Sequence, residues 1–241
     1  IADLAVKNRL PAIYHEPRYV EAGGSFVDTS NNYAFWVNGT QGGESEELLG
    51  RWRRSRGIGD EVVIATKVGG RPLAPSTTFS RNIEGLSAKV IRESAERSRE
   101  RLGVEQIDLL YAHVEDRSVP LEETVEAFAG LVAEGTVGLI GVSNQWAWRV
   151  ERARNIAATA GLPGYEVLQY HHTYLRRPNS YLRAEPGLTL VAYSPLLGGA
   201  YVRGDKPLAT ELDHAGTPVR QAALQQVASE TGATANQVVL A

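Results

Sequence analysis

The chain has 241 residues, 43% of them hydrophobic, which is enough for one core, and 25 basic against 28 acidic side chains leave a formal net charge of −3. The two signs are interspersed, which excludes the electrostatic footprint of a nucleic-acid or anionic-membrane binder. The absence of cysteine excludes a disulfide framework and a thiolate metal cluster. With no secretory h-region and no long apolar span, a soluble cytoplasmic protein is expected. Methionine is absent too. Globular chains ordinarily use some, so segments are expected to be missing from the sequence. Local motifs survive such gaps, whereas long spacings contract.

Residues 1–17 show no clear periodicity and are expected to hide a first strand. Arg18 to Ala22 reads as a helix tail stopped by Gly23. Phe26 and Val27 then form a short buried strand, and Asp28 falls at its exit. Tyr33 follows five residues later in a polar turn of Ser30, Asn31 and Asn32, close enough to share a cavity with the carboxylate. By themselves an Asp before a turn is usually an Asx-turn and a Tyr usually half-buried packing. Phe35 and Trp36 come next in a loop, either as a lid over a pocket or as packing.

A helix opens near Gly42 with acidic residues in its first turn and Leu48, Leu49 and Trp52 on one face. The arginines of Arg51 to Arg56 suit its C-terminal dipole better than a phosphate site. The run from Glu61 to Lys67 is a strand ending on a lysine, and a Gly/Pro/Ser/Thr loop follows to about Gly85. Ser87 caps a helix to Leu102, with Val90, Ile91, Ala95 and Leu102 at helical spacing. Gln106 to His113 is a strand ending on a histidine.

Leu121 to Ala133 is a helix between Pro120 and Gly135, and Val137 to Ser143 a strand followed by Asn144. The pattern repeats with a helix from Trp146 to Ala160 and strands ending near Gln169 and Ser194. A Gly/Pro-rich loop then leads to a helix from about Val219 to Glu230. The last helix, starting at Thr234 or Asn236, is expected to be cut off before its strand.

Strands ending near Thr29, Lys67, His113, Ser143, Gln169 and Ser194, each followed by a helical pattern, require a parallel sheet. Chemistry-bearing residues close every strand and no G-x-G-x-x-G follows any of them, which argues against an open doubly wound sheet. The fold class expected is α/β: a single (β/α)8 TIM-barrel domain over 1–241, lacking its last strand and C-terminal tail. Its active site would lie at the strands' C-terminal ends.

Asp28, Tyr33, Lys67 and His113 would gather there. A phenol is a poor acid at neutral pH, but a nearby ammonium favours the phenolate. Lys67 would supply that charge, Asp28 would hold Lys67, and His113 would donate a hydrogen bond to a substrate carbonyl. Such a group delivers a proton to C=O with Tyr33 as general acid, and it needs a cofactor for the hydride.

The chain from about Gly23 resembles the aldo-keto reductases, specifically the bacterial short-loop branch that includes potassium-channel β-subunit relatives. Carrying the resemblance are Asp28-Thr-Ser-Asn-Asn-Tyr33, Ala65-Thr-Lys67, Ile107-Asp-Leu-Leu-Tyr-Ala-His113, Gly141-Val-Ser-Asn144, Gln169 and Ala192-Tyr-Ser-Pro-Leu196. It implies that Asp28, Tyr33, Lys67 and His113 form the catalytic tetrad. It also implies that Ser143, Asn144 and Gln169 hold the nicotinamide carboxamide, that Tyr193 stacks on the ring, and that Ser194, Pro195 and Leu196 line the pyrophosphate. The implied activity is metal-free reduction of an aldehyde or ketone, usually by NADPH. The family's last strand and helix, which grip the adenosine 2′-phosphate, are not found here, so NADP(H) over NAD(H) rests on the family's habit. The connection from Asn179 to Leu188 is also too short for a barrel helix.

Phe35, Trp36 and Trp146 would shape the substrate pocket; for Trp146 and Trp148 helix packing is the equal alternative. His171 and His172 lack acidic partners at ligand spacing and are taken as loop or pocket-rim residues. Two other functions fit parts of the pattern. A Schiff-base lyase would use Lys67 as nucleophile but leaves Tyr33 and Asn144 unexplained. A nicotinamide-sensing subunit would bind the nucleotide and turn over slowly. The expected partner is a small carbonyl compound, with substrate and oligomeric state open.

Overall fold

The computed structural model describes residues 25–37, 40–59, 62–76, 78, 82–176 and 187–241. The first strand and helix tail expected before Gly23 lie outside these residues, as does most of the Asn179–Leu188 connection. Strands and helices alternate as expected. β1 is Ser25–Asp28, α1 Glu44–Arg56, β2 Val62–Val68, α2 Ala88–Leu102 and β3 Ile107–Ala112. α3 is Leu121–Ala133, β4 Val137–Ser143, α4 Ala147–Ala160, β5 Val167–His171 and β6 Thr189–Tyr193. After short 3-10 turns come α5, Thr217–Thr231, and α6, Ala235–Leu240. The strands follow one another in chain order across the sheet, and β1 to β4 pair in parallel. This is the arrangement of a partial (β/α)8 barrel, the fold class expected.

Two compact units make up the chain. The first comprises residues 1–168 and 187–189, and the second residues 169–186 and 190–241. In the first, β2 is buried along nearly its whole length, as a parallel strand covered on both faces must be. Its apolar run is therefore continuous where a half-exposed strand would alternate. α2 is framed by its caps: the Ser87 hydroxyl accepts from Val90 N, and Gly103 takes the left-handed conformation at φ 67°. The face carrying Ile91, Ala95 and Leu102 is buried. Val27 of β1, Val62 and Ile64 of β2, Leu49 of α1 and Leu102 of α2 form one cluster, with Trp52, Ile58 and Val104 against it. α1 approaches α2 closely at Gly50, where a Cβ would stand 2.1 Å from the Arg101 carbonyl oxygen.

The second unit has its own core of Leu175, Tyr201, Leu212, Leu224 and Ala235. α6 opens with a reciprocal cap: Gln237 N donates to Thr234 Oγ1, and the Gln237 side chain accepts from Thr234 N. β5 reaches His171, two residues beyond the expected end at Gln169.

Candidate active site

Strand register brings the chemistry together. Asp28 is in register with Ala65, and Lys67 lies two residues further along β2 on the same face, because side chains alternate along a strand. Lys67 in turn registers with Tyr111 of β3, and His113 lies two residues beyond it. Tyr111 registers with Gly141 of β4, with Ser143 two residues on. One face at the strands' C-terminal ends therefore carries Asp28, Lys67, Tyr111, His113 and Ser143. Gly141 leaves room for the Tyr111 ring, which a Cβ there would meet at 2.8 Å.

The Lys67 ammonium is the centre of the group and is fully buried. Nζ lies 2.5 Å from Asp28 Oδ2, 2.8 Å from the Thr29 carbonyl oxygen and 3.1 Å from the Tyr33 hydroxyl. It also sits 4.6 Å from the Tyr33 ring centroid and 5.9 Å from that of Tyr111. Burial alone would lower the lysine's pKa, but the charge of Asp28, then that of Tyr33 and the hydrogen bonds to both, outweigh it and hold the value above 10.5. Lys67 is thus a fixed cation touching a phenol. His113 packs edge-on to Tyr33, with ring centroids 5.8 Å apart. Burial, and then the Lys67 charge, push the His113 pKa down to about 3, so the imidazole is neutral at physiological pH. The sequence-predicted Asp28, Tyr33, Lys67 and His113 are therefore one cluster.

The turn between Asp28 and Tyr33 is not a solvated loop. Thr29, Ser30, Asn31 and Asn32 are all buried, so their polar groups need partners inside the protein. Thr29 Oγ1 bonds Ser45 Oγ at 2.8 Å, Asn31 Nδ2 donates to Glu84 at 2.6 Å, and Asn32 Nδ2 donates to the Gly70 carbonyl at 2.9 Å. Ser30 Oγ meets His113 Nδ1 at 3.0 Å. Glu84 also accepts from Gly69 N and Ser94 Oγ, tying the loop after β2 to this turn and to α2. Sequence reasoning noted Ser30 and Asn32 only as turn residues and missed Thr29, Gly70 and Glu84. The signal available was a run of small polar residues directly after a buried strand.

Other predicted residues are placed as follows. In the first unit, Asn144 adopts the left-handed conformation at φ 53°, which Asn tolerates better than most residues, and its amide donates to Ser143 Oγ at 3.1 Å. Together Ser143 and Asn144 offer the donor and acceptor groups that a primary carboxamide requires. In the second unit, Gln169 is buried on β5, and Tyr193 ends β6 with its ring stacked on His171, centroids 5.2 Å apart. His171 is accordingly the last residue of β5, which corrects the loop alternative of its expected loop or pocket-rim position. Ser194 is exposed with φ 53°, Pro195 is buried and Leu196 half-buried in the turn that follows.

Of the pocket candidates, Phe35 is only 2% exposed and packs edge-on against Trp36 at 5.2 Å, whereas Trp36 and Trp146 are 43% and 59% exposed. Trp148 is exposed as well, with the Arg117 guanidinium 5.6 Å from its ring. Among the described residues no helix is long and apolar enough to cross a membrane.

Parallel strands alternate with helices as in a partial (β/α)8 barrel, and a buried lysine and carboxylate stand with a phenol and an imidazole at the strand ends. The chain belongs to the aldo/keto reductase family, whose model matches residues 16–241. It is 41% identical to norsolorinic acid reductase stcV of Emericella nidulans over 154 residues, 63% of this chain and 38% of that protein. It is also similar to the uncharacterized oxidoreductase YrpG of Bacillus subtilis, 34% over 75% of this chain and 56% of that one. An aryl-alcohol dehydrogenase of Pestalotiopsis microspora is 28% identical over 78% of this chain and 48% of its own length. The chain thus spans about two fifths of the norsolorinic acid reductases it matches.

Proposed function

We propose that the protein reduces an aldehyde or ketone to the alcohol, with Tyr33 as general acid and NADP(H) as the preferred cofactor over NAD(H). The observation that carries this reading is the 3.1 Å contact between a buried Lys67, whose pKa is held above 10.5, and the Tyr33 hydroxyl. As negative charge develops on the carbonyl oxygen, Tyr33 gives up its proton to that oxygen, and the phenolate left behind is stabilised by the ammonium beside it. Asp28 and the Thr29 carbonyl keep that ammonium in place, so it does not follow the proton. His113 borders the phenol and limits where a substrate can sit. When bound, the reduced nicotinamide supplies the hydride that these side chains lack. Ser143 and Asn144, with Gln169, would hold its carboxamide; Tyr193 would face its ring, and Ser194, Pro195 and Leu196 its pyrophosphate. Phe35, Trp36 and Trp146 would border the substrate.

Lys67 held as an ammonium has no lone pair with which to attack a carbonyl, so the geometry favours proton delivery over Schiff-base chemistry. Names of relatives support the same class: norsolorinic acid reductases, an aryl-alcohol dehydrogenase and an oxidoreductase. Our reading extends to a single barrel domain in the bacterial, channel-β-related branch of the family. The protein would work in the cytoplasm on small carbonyl compounds, without nucleic acid or membrane partners.

The test is oxidation of NADPH and of NADH, followed by absorbance, against a panel of aldehydes and ketosugars, for wild type and Tyr33→Phe. Loss of a general acid lowers turnover by about 10²–10⁴-fold, and cofactor binding followed by fluorescence should persist. Turnover indifferent to Tyr33→Phe would sink the mechanism. Tight cofactor binding without turnover on any substrate would favour a nicotinamide-sensing subunit instead.

A further inference from the structure

Hydrogen-bond direction around His113 has only one self-consistent solution. Asn32 Nδ2 lies 2.9 Å from the Gly70 carbonyl oxygen, which can only accept, so the amide's NH₂ faces Gly70 and its Oδ1 faces Ser30. Flipping the amide would set two acceptor oxygens against each other at that distance. Ser30 Oγ has one hydrogen and three neighbouring acceptor positions: Asn32 Oδ1 at 2.8 Å, His113 Nδ1 at 3.0 Å and the Lys67 carbonyl at 3.3 Å. The Lys67 carbonyl already accepts from Asn31 N at 3.1 Å. Were the Ser30 hydrogen turned to the imidazole or to that carbonyl, Ser30 Oγ and Asn32 Oδ1 would face each other at 2.8 Å as bare oxygens in a buried site. The hydrogen therefore belongs to Asn32 Oδ1, and Ser30 Oγ is left as an acceptor towards His113.

We infer that Ser30 and Asn32 are positioning residues that hold His113 in the Nδ1–H tautomer, so that its Nε2 is a hydrogen-bond acceptor. The chain runs from His113 Nδ1–H to Ser30 Oγ–H to Asn32 Oδ1, and from Asn32 Nδ2–H to the Gly70 carbonyl. Gly70 allows this packing, since a Cβ there would stand 3.0 Å from His113 Nδ1 and 3.1 Å from Asn32 Nδ2. The ring's neutrality, with its pKa near 3, means that one tautomer or the other is present and not the imidazolium. One consequence rests on the reductase reading. Of Tyr33 and His113, it is then Tyr33 that donates to the substrate carbonyl, and His113 Nε2 accepts a hydrogen bond where the sequence suggested that it would donate one.

Long-range ¹H–¹⁵N correlation spectra of the uniformly labelled protein, without substrate or cofactor, report which imidazole nitrogen is protonated. His113→Asn identifies the His113 signals among those of the five histidines. The expected spectrum has a pyrrole-type Nδ1 and a pyridine-type Nε2. Ser30→Ala should shift the ring towards Nε2–H, because the buried Nδ1–H has lost its acceptor, and Ser30→Thr should restore the wild-type pattern. A wild-type ring protonated at Nε2 overturns the inference. So does an Nδ1–H ring unmoved by Ser30→Ala, since Ser30 would then not be what holds it. If Ser30→Ala fails to fold, the wild-type and Ser30→Thr spectra still decide the tautomer. No turnover enters this measurement, so an inactive protein would refute the reductase reading and leave the tautomer standing, and the reverse result is equally distinct.

Discussion

Asp28→Asn changes a charge and almost nothing else in shape. The asparagine oxygen keeps a hydrogen bond to Lys67 Nζ, now 2.5 Å from Asp28 Oδ2, but the fully buried ammonium loses its counter-charge. Two responses are open to it. An uncompensated buried charge costs about 3–5 kcal/mol. Shedding the proton at neutral pH instead, about 3.5 units below the ordinary lysine value of 10.5, costs about 5 kcal/mol at about 1.36 kcal/mol per unit. The two limits agree, so the folded state should lose about 3–5 kcal/mol whichever response Lys67 makes.

The pH dependence separates this cause from simple misfolding. In the wild type the folded pKa of Lys67 lies above 10.5, so its contribution is fully present below that value and fades as pH rises through the higher one. In Asp28→Asn burial prevails and the folded value drops below 10.5. The unfolded chain then binds the extra proton, and stability rises with pH towards 10.5. Urea unfolding of both proteins from mildly acidic to alkaline pH, analysed by linear extrapolation, measures both quantities. A loss below about 1 kcal/mol, as expected of a solvent-exposed pair, would refute the reasoning. So would a variant whose stability runs parallel to the wild type across that range.

Gly50→Ala drives a Cβ to within 2.1 Å of the Arg101 carbonyl oxygen and 3.0 Å of that of Leu102, so α1 and α2 must separate. A loss of about 1–3 kcal/mol is expected, visible by calorimetry as a Tm lower by several degrees; an unchanged Tm would show that the two helices are not closely packed there. Glu46 is buried and accepts from Thr66 Oγ1 at 2.6 Å and from Arg101 at 3.0 Å; burial raises its pKa above 4.5 against the pull of these bonds. Between 4.5 and the raised value the folded state binds the extra proton. Measured against Glu46→Gln, the wild type should therefore gain stability as pH falls from neutral through that value, and a difference constant with pH would contradict it.

Elements were legible where their signals are local. Ser87 and Gly103 bracket α2 because capping acts within one turn, and the apolar runs before Asp28, Lys67 and His113 mark strands because burial on both faces needs no partner to be named. The candidate site was legible only as a set of residues at strand ends. The burial of its polar turn was not legible, because Thr29 to Asn32 have the composition of a solvated loop and the packing of the loop after β2 and of α1 is what buries them. Likewise nothing local separates Phe35 from Trp36. The backbone at Ala34, with φ 80°, precedes the point at which one ring turns inward and the other outward.

By itself, then, the sequence determined the alternation of strands and helices, where most of them end, and which side chains stand at those ends. Those properties depend on neighbours within about four residues, through helical and strand periodicity and through caps. The tertiary structure decided that Lys67 touches Asp28, 39 residues away, and that Ser30 touches His113, 83 residues away. Both contacts follow from strand register. A slip of one residue would turn Lys67 to the opposite face of the sheet, and the buried core on both sides of β2 is what prevents that slip.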